Sequence, residues 1–308
     1  MSLSKTRPPL LDTIALWDWP TLGLLGAVGG IWGVALLLPA GWGALSFVLL
    51  VLALSLHASL SHELLHGHPF GAERAETLLG LWQPGLAVPY LRFKRTHLAH
   101  HRDANLTDPY DDPESNYLDP AVWAGLARWQ RVLLRANNTL AGRMILGPTV
   151  GMYAFVRGDI ARVRRGEAQV ARDWLAHIPG ALLTLGAVWL SPLPMPVYLA
   201  ACYCAMSVLR IRTFLEHRAH DRVSGRTVII EDRGPLAFLF LNNNLHVVHH
   251  MHPKVAWFRL WPLYRAHKAR YIARNGGYVY RSYGEIFRLY FLRTKDPVVH
   301  PLWRAPGD

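Results

Sequence analysis

Two long stretches of the sequence contain no charged residue. The first runs from Trp19 to His62, 44 residues without Asp, Glu, Lys or Arg, whereas one helix needs only about 20 apolar residues to cross a bilayer. Pro39-Ala40-Gly41 interrupts this stretch. The pattern therefore predicts a helical hairpin over residues 19–61, with a tight turn near its middle.

The second stretch, from Trp174 to Leu209, is 36 residues long and carries three prolines between positions 191 and 196. It predicts a second hairpin, over residues 174–215. We expect an all-α, integral membrane protein with four transmembrane helices in two hairpins. Residues 62–173 and 216–308 would then form a helical cap, and residues 1–308 a single domain.

The charge distribution predicts an orientation. The chain carries 33 Lys and Arg against 21 Asp and Glu, a formal net charge of +12, yet both predicted turns, 39–42 and 191–196, are uncharged. Positive residues favour the cytoplasmic side, so both termini and the cap are predicted to be cytoplasmic, most simply at a bacterial inner membrane. This explains the basic balance without a nucleic-acid partner. The two cysteines exclude a disulfide scaffold and a cysteine-built metal centre.

Histidine is the residue type that carries the candidate chemistry. Twelve of the 16 histidines fall in four short clusters that begin at positions 62, 97, 217 and 246. Two of the clusters repeat H-x-x-H-H, which on a helix would place three imidazoles on one face. All four clusters are predicted to lie on the cytoplasmic side, where two helix ends and two cap helices can converge.

Nine histidines have ligand spacing, which is more than one ion binds, so two metal ions are expected. Imidazole suits iron, zinc, copper and nickel, and the spacing alone does not choose among them. The nine are His62, His66, His97, His100, His101, His217, His246, His249 and His250.

These histidine clusters resemble the histidine boxes of the integral-membrane fatty acid desaturase and hydroxylase superfamily, and the resemblance covers about residues 45–255. His62 and His66 match its first box, the clusters at 97 and 246 match its second and third, and His217 matches its additional histidine. Thr213 stands where some members carry Asn, one turn earlier. The resemblance implies an O2-dependent centre of two iron ions (Fe2+/Fe3+).

The resemblance further implies a membrane lipid or another long apolar substrate and a separate electron donor, such as a ferredoxin, a rubredoxin or a cytochrome with its reductase. The chain has neither a dinucleotide-binding fingerprint nor a C-x-x-C pattern. Within this resemblance, the repeated H-x-x-H-H favours a fatty acyl lipid desaturase. A hydroxylase or ketolase of alkane, lipid or carotenoid type is the alternative.

Four polar residues near the boxes are candidates to support the ligands, because ligating histidines usually donate their second N–H to a carboxylate or a carbonyl. They are Glu63, Asp103, Glu216 and Asn242. The acidic segment 107–114 is expected to be mainly a solvated loop, with Asp108 or Asp111 the candidates to reach the site.

Two other classes of protein remain open. His62-Glu63-x-x-His66 also matches the zinc metalloprotease motif, in which the glutamate is the general base. That hypothesis leaves the other clustered histidines unexplained. A metal transporter would hold its ligands near the bilayer midplane, whereas these clusters lie outside the predicted spans.

Overall fold

The computed structural model describes residues 18–102 and 105–304, and this part of the chain is mainly helical. Two short strands, β1 (Ile229–Ile230) and β2 (Val279–Tyr280), pair in parallel. The helices of the described residues are α1 (Trp19–Leu37), α2 (Gly43–Leu65), α3 (Glu73–Leu81), α4 (Tyr90–His100), α5 (Pro120–Gly125), α6 (Arg128–Asn137), α7 (Leu140–Ile145), α8 (Gly147–Arg164), α9 (Ala168–Trp189), α10 (Met195–Thr213), α11 (Pro235–Leu239), α12 (His246–Met251), α13 (Trp257–Ala266), α14 (Lys268–Arg274) and α15 (Tyr283–Tyr290).

The first predicted hairpin is α1 and α2. Asp18 caps α1 by accepting hydrogen bonds from the backbone N–H of Thr21, at 3.1 Å, and from its hydroxyl, at 2.7 Å. A short 3₁₀ turn, Ala40–Trp42, leads directly into α2. Among the described helices, two are long and apolar enough to cross a membrane, Trp19–Leu37 and Ala40–Leu65.

The second predicted hairpin also forms, as α9 and α10, which are as long as α1 but less apolar than the first pair. Polar side chains explain the difference. Arg172 and Asp173 lie in the second turn of α9, and Arg210 and Arg212 lie in the last turn of α10. Both helices therefore extend beyond the charge-free stretch that predicted them.

The two hairpins share one apolar core. Leu50 and Leu54 of α2 pack with Val188 of α9 and with Tyr198 and Ala201 of α10, all of them buried. This packing places the end of α2, with its first histidines, beside the end of α10.

Two ion pairs hold helix α4 against α8 and α9. Arg92 contacts both carboxylate oxygens of Asp159 on α8, at 2.8–3.0 Å, and both side chains are buried. Arg95 contacts Asp173 on α9 at 2.8 Å, and the indole of Trp174 donates to Asp159 at 2.9 Å. These contacts fix the position from which α4 presents its histidines.

Candidate metal centre

Four segments bring the nine predicted histidines together. His62 lies in the last turn of α2 and His66 caps its C-terminus. Helix α4 and its C-cap carry the second box, and α12 carries the third. His217 follows α10 by a few residues, in a segment that forms an isolated bridge with Thr227.

The imidazoles form two groups, in each of which the candidate ligand atoms lie within 4.8 Å of one another. The five-histidine group consists of His62, His66, His97, His101 and His249. The four-histidine group consists of His100, His217, His246 and His250.

The three imidazoles of each H-x-x-H-H box do not all join the same group. His97 and His101 belong to the five-histidine group, while His100 belongs to the four-histidine group. Helix α12 contributes one histidine, His249, to the five-histidine group and two, His246 and His250, to the four-histidine group. Positions i+3 and i+4 point about 100° apart around a helix, so one box serves two neighbouring groups.

The two groups are adjacent. The rings of His101 and His250 stack with their centroids 4.3 Å apart and their planes 20° apart. His97 and His100, on the same helix, have centroids 5.8 Å apart. This spacing suits a dinuclear site rather than two independent ones.

Carboxylates fix the tautomers of two histidines on α4. Nδ1 of His97 lies 2.9 Å from Glu114, and Nδ1 of His100 lies 2.7 Å from Asp112. An ionised carboxylate only accepts, so each Nδ1 carries the proton and donates it. In the neutral imidazole, which is the form that binds metal, each Nε2 is then left with its lone pair directed into its group.

The side-chain amide of Asn243 fixes the tautomer of a histidine on α12 in the same way. Nδ1 of His246 lies 3.1 Å from Oδ1 of Asn243, and the amide nitrogen of Asn243 in turn donates to Glu216 at 3.3 Å. Glu216 also pairs with Arg212 at 3.0 Å. This chain of contacts orients Asn243 so that its oxygen faces His246, whose Nε2 is thereby unprotonated.

His217 shows why these lone pairs fit a cation. Its Nε2 lies 2.9 Å from Nε2 of His100 and 3.0 Å from Nε2 of His246. Nε2 of His217 can share a hydrogen with only one of them, and the other contact then has no hydrogen between its two nitrogens. Two nitrogens about 2.1 Å from a common ion would be separated by about 3.0–3.4 Å, depending on the ligand angle.

The five-histidine group also fits a metal, because several of its imidazole nitrogens lack a hydrogen that could join them. Nε2 of His62 and Nε2 of His66 are buried and have no hydrogen-bond partner among the described residues, which is costly for a polar atom unless a cation binds it. Nε2 of His101 lies 3.0 Å from that of His97 and 3.0 Å from that of His249.

Burial and the surrounding imidazoles hold the pKa values of His66, His217 and His249 well below their usual range. These side chains are therefore neutral near pH 7, the form that binds metal. His100 differs. Burial alone would lower its pKa, but the charge of Glu114 and the hydrogen bond with Asp112 raise it to about 9, which marks a negative potential suited to a cation.

The predicted supporting residues have different surroundings. Glu63 lies 3.6 Å from Nδ1 of His62 and accepts a hydrogen bond from the backbone N–H of Trp257 at 3.1 Å. Asn242 does not face the histidines: its amide donates to the carbonyl oxygen of Trp257 at 3.0 Å. Asp103 lies outside the described residues.

The sequence interpretation missed Asp112, Glu114 and Asn243. It favoured Asp108 or Asp111, but Asp108 accepts hydrogen bonds from two backbone N–H groups of its own turn, and Asp111 is exposed. That turn reverses the chain, so the residues after it fold back against α4. The alternation of Asp and Pro in this segment indicated a turn, but not which carboxylates it would deliver to the site.

Asp112→Asn should weaken metal binding by about 10- to 100-fold, the usual effect of removing a carboxylate that orients a ligating histidine. Metal retained during titration with a chelator measures this. Asp111→Asn, the same change at the exposed neighbouring position, is the matched control and should retain metal like the wild type. Equal retention by both variants would contradict the role given to Asp112.

Comparisons with known proteins agree with this geometry. A model of the family described as fatty acid desaturase matches residues 38–283. The β-carotene ketolase of Paracoccus sp. (strain N81106 / MBIC 01143) is 28% identical over 211 residues, covering 65% of this chain and 70% of the relative. The β-carotene ketolase of Paracoccus sp. (strain PC1) is 29% identical over 216 residues, with the same two coverages.

Proposed function

Because the chain belongs to the fatty acid desaturase family, we propose that it is an O2-dependent, di-iron oxidoreductase that oxidises C–H bonds of a long apolar substrate in a membrane. The observation that carries this proposal is the convergence of nine imidazoles into two adjoining groups of five and four. A zinc protease would use His62, His66 and one further ligand, and would leave the four-histidine group without a purpose.

The donor set fits iron as well as other borderline metals, and membership of the family supports iron. Bound iron supplies the redox chemistry by which O2, with two external electrons, oxidises an unactivated C–H bond. The protein holds the imidazoles in one tautomer through Asp112, Glu114 and Asn243. Burial of most of these rings keeps bulk water from the site.

Two substrate classes follow from different observations. The histidine boxes favour an acyl chain and desaturation. The names of the two Paracoccus relatives favour a carotenoid and insertion of oxygen. Both substrates dissolve in the bilayer, which suits a site at the end of the apolar helix α2.

Membranes from cells that express the protein, with and without accumulated β-carotene, can separate the two classes under 18O2. Labelled oxygen in the carotenoid would identify an oxygenase, whereas acyl chains that lose a pair of hydrogens without gaining label would identify a desaturase. Membranes carrying a His249→Ala variant are the control. A metal-loaded protein that oxidises neither class but cleaves peptides would contradict the proposal.

We also propose that both hairpins span the membrane and that the cap is cytoplasmic. Uncharged turns and basic flanks support this orientation. Helix α9 adds support, because Leu175, Leu182, Leu183 and Trp189 are 62–80% exposed on its surface, an arrangement suited to lipid.

Reporter fusions at Gly41 and Ser191 should therefore be active only as periplasmic reporters, and a fusion at Gly166 only as a cytoplasmic one. Gly166 is the decisive position, because it lies between the hairpins. A periplasmic signal there would contradict the four-helix arrangement.

A further inference from the structure

The four-histidine group approaches the protein surface at His250. A cavity of about 20 Å3, lined by His250, Val223, Thr227, Met251 and Arg274, reaches this ring from outside. That volume has room for about one water molecule. It is too small for a substrate or a cofactor, so the cavity is not a binding pocket. It marks the position where little protein separates the ring of His250 from solvent.

Five arginines lie on two of the segments that line this cavity, and one of them, Arg274, lines it directly. We call Arg218, Arg222, Arg226, Arg270 and Arg274 the basic rim. Arg222 immediately precedes Val223, and Arg226 immediately precedes Thr227, both of which line the cavity. Arg270 lies one turn before Arg274 on α14.

Hydrogen bonds hold the two segments of the rim side by side. Arg218 donates to the carbonyl oxygens of Gly225, at 3.0 Å, and of Asn275, at 3.3 Å, so it joins the loop after α10 to the end of α14. Arg226 donates to the carbonyl oxygen of His220 at 2.9 Å. Arg222, Arg270 and Arg274 remain exposed. The segments 217–227 and 268–274 contain a single acidic residue, Asp221.

The proposed reaction supplies the reason for such a surface. Hydroxylation combines a C–H bond, O2, two electrons and two protons into an alcohol and one water. Desaturation uses the same electrons and protons, removes two substrate hydrogens and yields an alkene and two waters. The substrate does not provide the two electrons in either case, and the sequence has no nucleotide-binding or C-x-x-C motif that would supply them.

We propose that the basic rim docks an acidic one-electron carrier protein, with the redox centre of the carrier placed over His250. This inference rests on the proposed function. Complementary charge steers such encounters and raises their association rate, and interfaces between redox partners are typically small and transient. Two carriers, each giving one electron and leaving oxidised, would complete one turnover.

The test uses the iron-loaded protein in nanodiscs and an acidic [2Fe–2S] ferredoxin kept reduced by NADPH and its reductase. Arg222→Glu/Arg274→Glu reverses the charge of the rim, and Arg157→Glu/Arg164→Glu makes the same change in charge at exposed positions of α8. The rim variant should lower the second-order rate constant of ferredoxin oxidation about 10-fold at low salt. The difference should shrink as salt screens the charges.

Two further measurements accompany the rate. Binding of oxidised ferredoxin to the nanodiscs should weaken only for the rim variant. Turnover with a small neutral mediator as reductant should be the same for the wild type and both variants, and iron content should be unchanged.

Equal ferredoxin kinetics for the two double variants would overturn the docking proposal. A defect that appears only in anionic nanodiscs, whichever reductant is used, would overturn it too, because the rim would then bind lipid. Absence of substrate oxidation by the wild type with both reductants would instead contradict the proposed function.

Discussion

His249→Ala should abolish O2-dependent substrate oxidation and release iron, while the protein still inserts into membranes. His249 is the residue through which α12 reaches the five-histidine group. Its ring centroid lies 4.6 Å from that of His62 and 4.7 Å from that of His66. Its loss removes a candidate ligand and also a ring contact between α12 and the end of α2. Metal analysis of purified protein, together with turnover in membranes, measures the two effects.

His252→Ala is the matched control. His252 lies at the C-cap of the same helix, and its ring packs edge-on against Tyr271, with centroids 6.2 Å apart, away from both groups. This variant should keep its iron and its activity. Zinc as the bound metal, with activity retained in His249→Ala, would instead favour the protease hypothesis, and Glu63→Gln should then be the variant that is inactive with its metal in place.

Asp159→Ala should give the largest loss of stability. It leaves the buried guanidinium of Arg92 without its bidentate partner and the indole of Trp174 without its acceptor. Removing one member of a buried ion pair typically costs about 3–5 kcal/mol, because the other charge remains buried and unpaired. The free energy of unfolding in detergent should fall by about this amount, and iron should be lost as α4 moves.

Two comparisons separate this effect from a general sensitivity to charge. Glu167→Ala breaks exposed contacts with Arg162 and Arg165 and should cost less than about 1 kcal/mol. Replacing both members of the buried pair by Arg92→Met/Asp159→Leu should recover much of the lost stability. A single Asp159→Ala variant as stable as the wild type would show that the pair does not hold α4.

The sequence predicted the fold where the pattern was long and simple. A stretch of 44 residues without charge determines the first hairpin almost by itself. The second hairpin was also found. That either hairpin spans a membrane remains a prediction, and the second is the less apolar because Arg172 and Asp173 lie in the second turn of α9 and Arg210 and Arg212 in the last turn of α10. Those polar turns lie at helix ends, where a charge-free stretch gives no information.

The nine histidines were recognisable because box spacing is a local property. Their division into groups was not, because it depends on the angles at which α2, α4 and α12 meet. The residues that orient these histidines were harder still to predict from the sequence. Leu241 and Asn242 adopt positive φ angles of 49° and 56°, and this tight turn sends Asn242 to Trp257 and presents Asn243 to His246. Neighbouring asparagines in a sequence give no sign of which one a turn will direct inward.

The crossing of the two H-x-x-H-H boxes has a thermodynamic consequence. Each of α4 and α12 carries histidines of both groups, so an ion held by one group orders the helices that present ligands to the other. The two binding equilibria are therefore linked, and the second ion should bind more tightly than the first. Protein supplied with too little iron should separate into empty and fully loaded chains, with few chains that hold a single ion.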